Sequence, residues 1–228
     1  MDLGIFCKGT LDQEPVEHCF SALFTLGKNP DPTYLDWLMK AWGWTLAVAA
    51  LGLILALILG AVMGTLRTLP LDTKLNQFLV RFSTAWVELF RNIPILVQVF
   101  LWYHVVPAFI PLLKSFPSYL LVSIALGFFT SARIAEQVRA GIQSLPSGQK
   151  SAATALGLTT FQAYRYVILP MALRIVIPPL TSESMNLIKN SSVAFAVSVP
   201  ELTLFAMQAQ EETSRGVEIY LAVTLLYA

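Results

Sequence analysis

"SAATALGLTTFQAYRYVILP", residues 151–170, breaks an oily chain with small and polar side chains and closes on Leu169-Pro170. Ala152, Ala153 and Ala155 favour helix. Gly157 supplies a positive φ where the chain must turn. "TTFQAYRY" predicts a second short helix carrying Phe161 and Tyr164, i and i+3 neighbours on one face. Pro170 is expected to end that turn, because the residue before a proline is pushed away from the α region. The product is a compact helix–turn–helix knob. Physics alone leaves two roles open for it: docking into a groove on a partner, or lying as an amphipathic loop on the lipid surface.

The flanks decide the fold class. The chain has 228 residues, 56% of them hydrophobic and 13% charged, where soluble domains carry roughly 25% charged residues. This is the composition of an integral membrane protein, an all-α polytopic transmembrane helical bundle. A helix needs roughly 20 apolar residues to cross the bilayer core. Trp42 to Leu66 provides them without a charge, and 92–113, 118–138 and the more broken 166–190 follow. A fifth stretch starts near Val217 and reads as cut short, giving about five spans. The expected organisation is an extracytoplasmic segment over 1–41 and a transmembrane domain over 42–228, with the knob at about 147–170. The start of the chain has no basic region followed by an apolar run, so the first span is expected to serve as its own insertion signal.

Lys and Arg in short loops set orientation. Arg67, Lys74, Arg81, Arg139, Lys150 and Arg165 fall on one side, Lys8, Lys28, Lys40, Lys114 and Arg215 on the other. The first set is denser and reads as cytoplasmic, which puts the N-terminus outside. Cys7 and Cys19 precede the first span, where a disulfide is permitted; two free thiols are the alternative. A net charge of +1 gives no electrostatic case for nucleic acid. His18 and His104 are far apart and give little catalytic material, and His104, with no partner at metal spacing, is expected to be structural rather than a ligand. His104 sits with Trp102 and Tyr103 in what reads as an outer aromatic belt.

Charges inside a membrane are costly and face a pathway or a partner. Arg133 and Glu136, at i and i+3 in the third span, either neutralise each other or leave Arg133 for a substrate carboxylate, with Thr130 and Gln137 nearby. In the fourth span Ser182, Asn186 and Lys189 share one helical face, and Glu183, Asn186 and Asn190 an overlapping one. Glu183 suits a substrate ammonium, and Asn186 and Lys189 suit carboxylates. The alternatives are interhelical hydrogen bonds and a Lys189 that snorkels outward. Pro178-Pro179 remove two backbone donors and are expected to break the helix, a break that membrane depth tolerates only beside protein or a cavity. Pro94 and Gln98 are kinking or polar positions in the second span, and Glu88 and Arg91 read as an interfacial pair.

The opening stretch resembles the EAA loop of ATP-binding-cassette (ABC) importer membrane subunits: Glu-Ala-Ala, three residues, Gly, nine residues, Ile, one residue, Leu-Pro. Ala152, Ala153, Gly157, Leu169 and Pro170 match, while Ser151 replaces the glutamate and Val167 the isoleucine. Ser151 removes a carboxylate that could engage a partner. "ELFRNIPILVQ" (88–98), "ARIAEQVRAGIQSLPSGQ" (132–149), "MNLIKNSSV" (185–193) and "NPDPTYLDWL" resemble segments of the polar amino-acid branch, nearest to glutamate/aspartate importers. The resemblance implies the type I importer permease fold and alternating access in a bacterial inner membrane. It also implies four partners: a cytoplasmic ABC ATPase dimer that binds ATP and Mg, a second permease subunit of the same or a related chain, an extracytoplasmic solute-binding protein, and the amino acid itself. The chain has no G-x-x-x-x-G-K-[ST] loop, so hydrolysis is expected on the partner, and this chain is expected to hold no cofactor of its own and not to be an enzyme. An ion-coupled secondary transporter, a membrane enzyme and a channel are the rivals. The chain lacks the paired internal repeats, the H-E-x-x-H or G-x-S-x-G motifs and the filter segment that these would call for.

Overall fold

A computed structural model describes residues 3–10 and 33–228. Cys19, His18 and Lys28 lie outside the described residues. Cys7, in a short 3-10 turn over Leu3–Cys7, is disulfide-bonded.

Helix α1 runs Tyr34–Leu66, about 50 Å at 1.5 Å per residue. It begins before the uncharged stretch because Thr33 and Asp36 cap it reciprocally. The Thr33 N–H donates to Asp36 Oδ2 at 3.1 Å and the Asp36 N–H to Thr33 Oγ1 at 3.2 Å. Helix α2, Lys74–Asn92, is capped by Thr73, in a region the sequence reading left as loop. Helix α3, Ile95–Phe109, meets α2 at a bend of 106°. The bend falls at the start of the apolar stretch 92–113, of which α3 covers Ile95–Phe109. Pro94 holds Ile93 extended, and the buried Gln98 amide ties the corner by donating to Phe90 O at 2.7 Å and Ile93 O at 2.9 Å.

Helix α4 is Ser118–Gln143, α5 is Ser147–Ala155, α6 is Thr160–Ala163 and α7 is Leu169–Asn190. Two expectations about proline are corrected here. Pro170 does not end the turn: α6 continues into α7 through a π turn over Tyr164–Ile168. The same device occurs in α3, over Leu101–Val105, just ahead of Pro107. In each, the residue before the proline bonds five residues back, Leu169 to Tyr164 and Val106 to Leu101. The ladder thus skips a carbonyl that proline, lacking an N–H, could not have bonded. Pro178 and Pro179 also lie inside unbroken helix. Their φ is helical anyway, and Val176 before them and Glu183 and Leu187 after them are buried.

Helices α8, Leu202–Thr213, and α9, Gly216–Tyr227, follow a 3-10 segment over Ser191–Val197. Among the described residues three helical stretches are long and apolar enough to cross a membrane: Tyr34–Leu66, Ser118–Gln143 and Thr160–Val197. The bent α2–α3 pair is a fourth if taken as one span, and α9 is a shorter apolar helix.

The chain divides into two compact units, one of Met1–Val48 with Ser191–Ala228, the other of Ala49–Asn190. The first has a core of Tyr34, Leu38, Leu202, Phe205, Ile219 and Val223. Its α8 is capped by the fully buried Glu201, which accepts from the Thr203 and Leu204 N–H groups and from the Tyr227 hydroxyl. Burial outweighs these donors and pushes the Glu201 carboxyl above its usual range.

The second unit packs α4 against α1, α2 and α7. Trp86 and Phe90 of α2 stack around Phe128 at ring distances of 4.8 and 5.1 Å. Backbone meets backbone at Gly64, where an added Cβ would lie 2.6 Å from Ala135 O. That close approach fixes the register between α1 and α4 and so positions the charged side chains that follow.

Candidate functional site

Charged side chains that leave α4 in two directions build an open cleft of about 690 Å³ in the second unit. Toward α7, Arg133 makes a fork with Glu183. Its Nε donates to Oε2 at 2.9 Å and its Nη2 to Oε1 at 3.1 Å. Gln137, one turn along, donates to the same Oε1 at 3.1 Å, and its own Oε1 is buried without a partner. The pair is asymmetric: Arg133 is 41% exposed and Glu183 8%. Its guanidinium lies 6.0 Å from the Phe129 ring centre. Thr130, one turn before Arg133, is buried with its hydroxyl unpartnered.

The local Arg133–Glu136 pair considered from the sequence does not form. Glu136 instead faces the end of α1 and the end of α2. It accepts from Arg67 and from Arg139 Nε, the latter at 3.0 Å, and lies 3.6 Å from Arg91. Arg133 is engaged by Glu183 of α7 instead, and Glu136 takes its i+3 neighbour in the other direction, Arg139, together with Arg67. Arg91 likewise turns to Glu136 rather than to Glu88.

The structure thus brings together Arg133, Glu136 and Glu183 of the predicted site residues, with Thr130 buried just behind them. It does not bring Ser182, Asn186 and Lys189 into this cleft. They occupy another, exposed face of α7. Arg91 and Arg139 were missed as lining of the cleft, and Arg67 as a partner of Glu136. Arg139 could have been found from its i+3 spacing to Glu136. Arg67 and Arg91 could not, because only the tertiary packing of α1 and α2 on α4 delivers them. Among the described residues no cluster of three or more His, Cys, Asp or Glu side chains forms a metal-binding group.

The knob takes the expected shape. Helix α5 ends at Ala155, Gly157 turns at φ +77°, and Thr159 opens α6 with a capping box to Gln162. Ala153 is buried, while Ser151, Ala152 and Gly157 are exposed. Leu156 and Phe161 stand 80% and 73% exposed, large apolar side chains at the tip of a polar loop. Leu169 and Pro170 begin the long helix α7. The knob is tied to the rest of the unit by the Tyr164 hydroxyl, which donates to Thr68 O beside Arg67.

Residues 52–228 match the family described as the binding-protein-dependent transport system inner membrane component. The chain belongs to that family. Relatives sharpen the assignment. The permease is 43% identical over 205 residues to the glutamate/aspartate import permease protein GltJ of Escherichia coli K12, covering 86% of this chain and 81% of the relative. It is 41% identical over 145 residues to the probable glutamine ABC transporter permease protein GlnM of Bacillus subtilis, covering 64% and 66%. The crystal structure of an amino acid ABC transporter with histidines shares the fold at a TM-score of 0.73 and 27% identity, over 85% of this chain and 87% of that one. The permease is an amino-acid ABC transporter membrane subunit with the type I importer fold.

Proposed function

We propose that this permease subunit passes acidic amino acids, glutamate and aspartate, across the bacterial inner membrane by alternating access. The observation that carries the reading is the sign of the cleft. Its lining holds Arg91, Arg133 and Arg139 against Glu136 and Glu183, with Arg67 donating to Glu136 from α1. The name of the GltJ relative supports the same substrate class. In this reading Arg133 takes the α-carboxylate and Glu183 the ammonium of the incoming amino acid, so substrate replaces the fork with two equivalent contacts. Gln137 and Thr130 offer unpartnered polar atoms beside it. Ser182, Asn186 and Lys189 face a pathway shared with a second permease subunit, because polar side chains at membrane depth do not face lipid.

Energy comes from a separate ATPase dimer that binds ATP and Mg and seats the 151–170 knob. Ser151, Ala152, Ala153, Gly157, Leu169 and Pro170 form that contact or set its shape, and Leu156 and Phe161 project farthest from it. A solute-binding protein delivers the amino acid on the outer side, where the N-terminus lies. The chain itself catalyses nothing.

The test is reconstitution with an ATPase subunit and a binding protein in proteoliposomes. Glutamate uptake is expected to require ATP and to be indifferent to sodium and proton gradients. Uptake that follows an ion gradient without ATP overturns the reading in favour of a secondary transporter. The GlnM relative favours a second reading, transport of a neutral amino acid, for which the Arg133–Glu183–Gln137 end of the cleft alone would suffice. Competition between glutamate and glutamine separates the two.

A further inference from the structure

We infer that Arg91 selects the second carboxylate of an acidic amino acid in this cleft, an inference that rests on the acidic-substrate reading. Three guanidinium groups, of Arg67, Arg91 and Arg139, converge on the single carboxylate of Glu136. Two positive charges are left in surplus there. The other end of the same cleft is neutral, since Arg133 and Glu183 match one for one. A zwitterion with an uncharged side chain needs only the neutral end. The surplus calls for an additional anion.

The three arginines are not equivalent. Arg139 is committed twice, to Glu136 through Nε and to Gln143 through Nη1 at 2.8 Å. Arg67 is largely buried and hydrogen-bonded to Glu136. Arg91 comes only within 3.6 Å of Glu136, beyond hydrogen-bond length; its side chain is 60% exposed and it lines the cleft. It holds a planar fork of donors suited to a carboxylate and has the least to give up on binding one.

The placement fits a short substrate. Glu136 follows Arg133 by three residues of α4, about 4.5 Å along the axis. Arg91 lines the same cleft as Arg133, Glu183 and Gln137, so an amino acid held there by its head group shares the space with Arg91. Arg91 lies in the last turn of α2, at the corner where Gln98 holds the Phe90 and Ile93 carbonyls, so its backbone is fixed there.

The experiment is binding of radiolabelled glutamate and glutamine to the permease–ATPase complex in nanodiscs, without a binding protein, comparing wild type with Arg91→Gln and Arg91→Lys. Wild type is expected to prefer glutamate. Arg91→Gln should weaken glutamate about ten- to hundredfold, the worth of a hydrogen bond to a charged group, and leave glutamine unchanged. Arg91→Lys should fall between. Retained glutamine binding reports that the variant is folded. If glutamate and glutamine weaken together, or if neither moves, Arg91 does not select and the inference falls while the acidic reading stands. If wild type shows no preference for glutamate, the acidic reading fails and takes this inference with it.

Discussion

Exchanging the charges of the Arg133–Glu183 fork separates a structural pair from a substrate-binding one. Either single change, Arg133→Gln or Glu183→Gln, removes two charge-assisted hydrogen bonds. Breaking a fully buried pair costs about 3–5 kcal/mol, and a hydrogen bond to a charged group is worth about 1.5–3 kcal/mol. In Glu183→Gln the freed Arg133 is 41% exposed and recovers water, so about 1–2 kcal/mol is expected; Arg133→Gln strands the buried Glu183 carboxylate and should cost at least as much. At about 2–4 °C per kcal/mol for a chain of this size, the thermal midpoint should fall by about 2–8 °C. The double exchange Arg133→Glu with Glu183→Arg re-forms the fork in reverse between α4 and α7 and should recover most of that loss. It should not recover transport. It sets a carboxylate where the substrate carboxylate docks, and ATP-driven glutamate uptake should stay at least tenfold down, about 1.4 kcal/mol or more in the rate. Both quantities are read on one preparation, stability in nanodiscs and uptake in proteoliposomes. Recovery of uptake along with stability would refute the reasoning and leave the fork as a helix–helix tie.

Gly64→Val should drive α1 and α4 apart, at a cost of about 1–3 kcal/mol from overpacking, seen as a lower thermal midpoint, since the nearest atom is the Ala135 carbonyl rather than a yielding side chain. Gly157→Asp adds a charge at a turn where φ is +77°, and Asp tolerates that region better than most residues. The variant should therefore insert normally yet co-purify with less ATPase subunit, whereas equal recovery would move the docking site off the knob. Glu201 holds its proton to higher pH when folded than when unfolded, because burial raises its pKa. Its contribution to stability is complete below the ordinary carboxyl range and is lost as pH rises through the raised value. Glu201→Gln should accordingly flatten the decline of the thermal midpoint with rising pH, measured as the difference between variant and wild type. Tyr164→Phe removes the hydroxyl that bonds the knob to Thr68 O and Thr68 Oγ1 and should uncouple ATP hydrolysis from uptake, with hydrolysis persisting and glutamate uptake falling.

What could be read from the sequence was whatever depends on neighbours along the chain. The knob was legible because Ala152, Ala153, Gly157 and the Thr159 start follow local rules of helix, turn and cap. Long apolar helices were legible because a bilayer demands length. Proline was misread three times, at Pro170, Pro178 and Pro179, because the cost of a missing N–H is local but its remedy is not. A π turn relieves Pro170, and burial of Val176, Glu183 and Leu187 against neighbouring residues holds α7 together across Pro178-Pro179. Helix α2 was missed because half its surface is polar, and hydropathy looks for spans rather than for amphipathic stripes. In the cleft, Arg133 and Glu183 could be proposed one at a time as charges needing an explanation. Their pairing across fifty residues, and the convergence of Arg67 and Arg91 on Glu136, depend on how α1, α2 and α7 pack on α4.

The two ties at the end of α1 give the cleft and the knob a common support. Arg67 reaches Glu136 in the cleft, and the next residue, Thr68, receives the Tyr164 hydroxyl from the base of the knob. Adjacent residues cannot move far apart, so a displacement of the knob has two outcomes. Either the Tyr164 bond yields and the knob moves alone, or it holds and Arg67 is drawn along with it. In the second case Glu136 loses one of its two hydrogen-bonded arginines, and its charge falls to Arg139 and to Arg91, now at 3.6 Å. Arg91 would close on Glu136 and withdraw from the side of the cleft proposed for the substrate carboxylate. Affinity for an acidic side chain would then fall as the knob moves, without any change at Arg133 or Glu183.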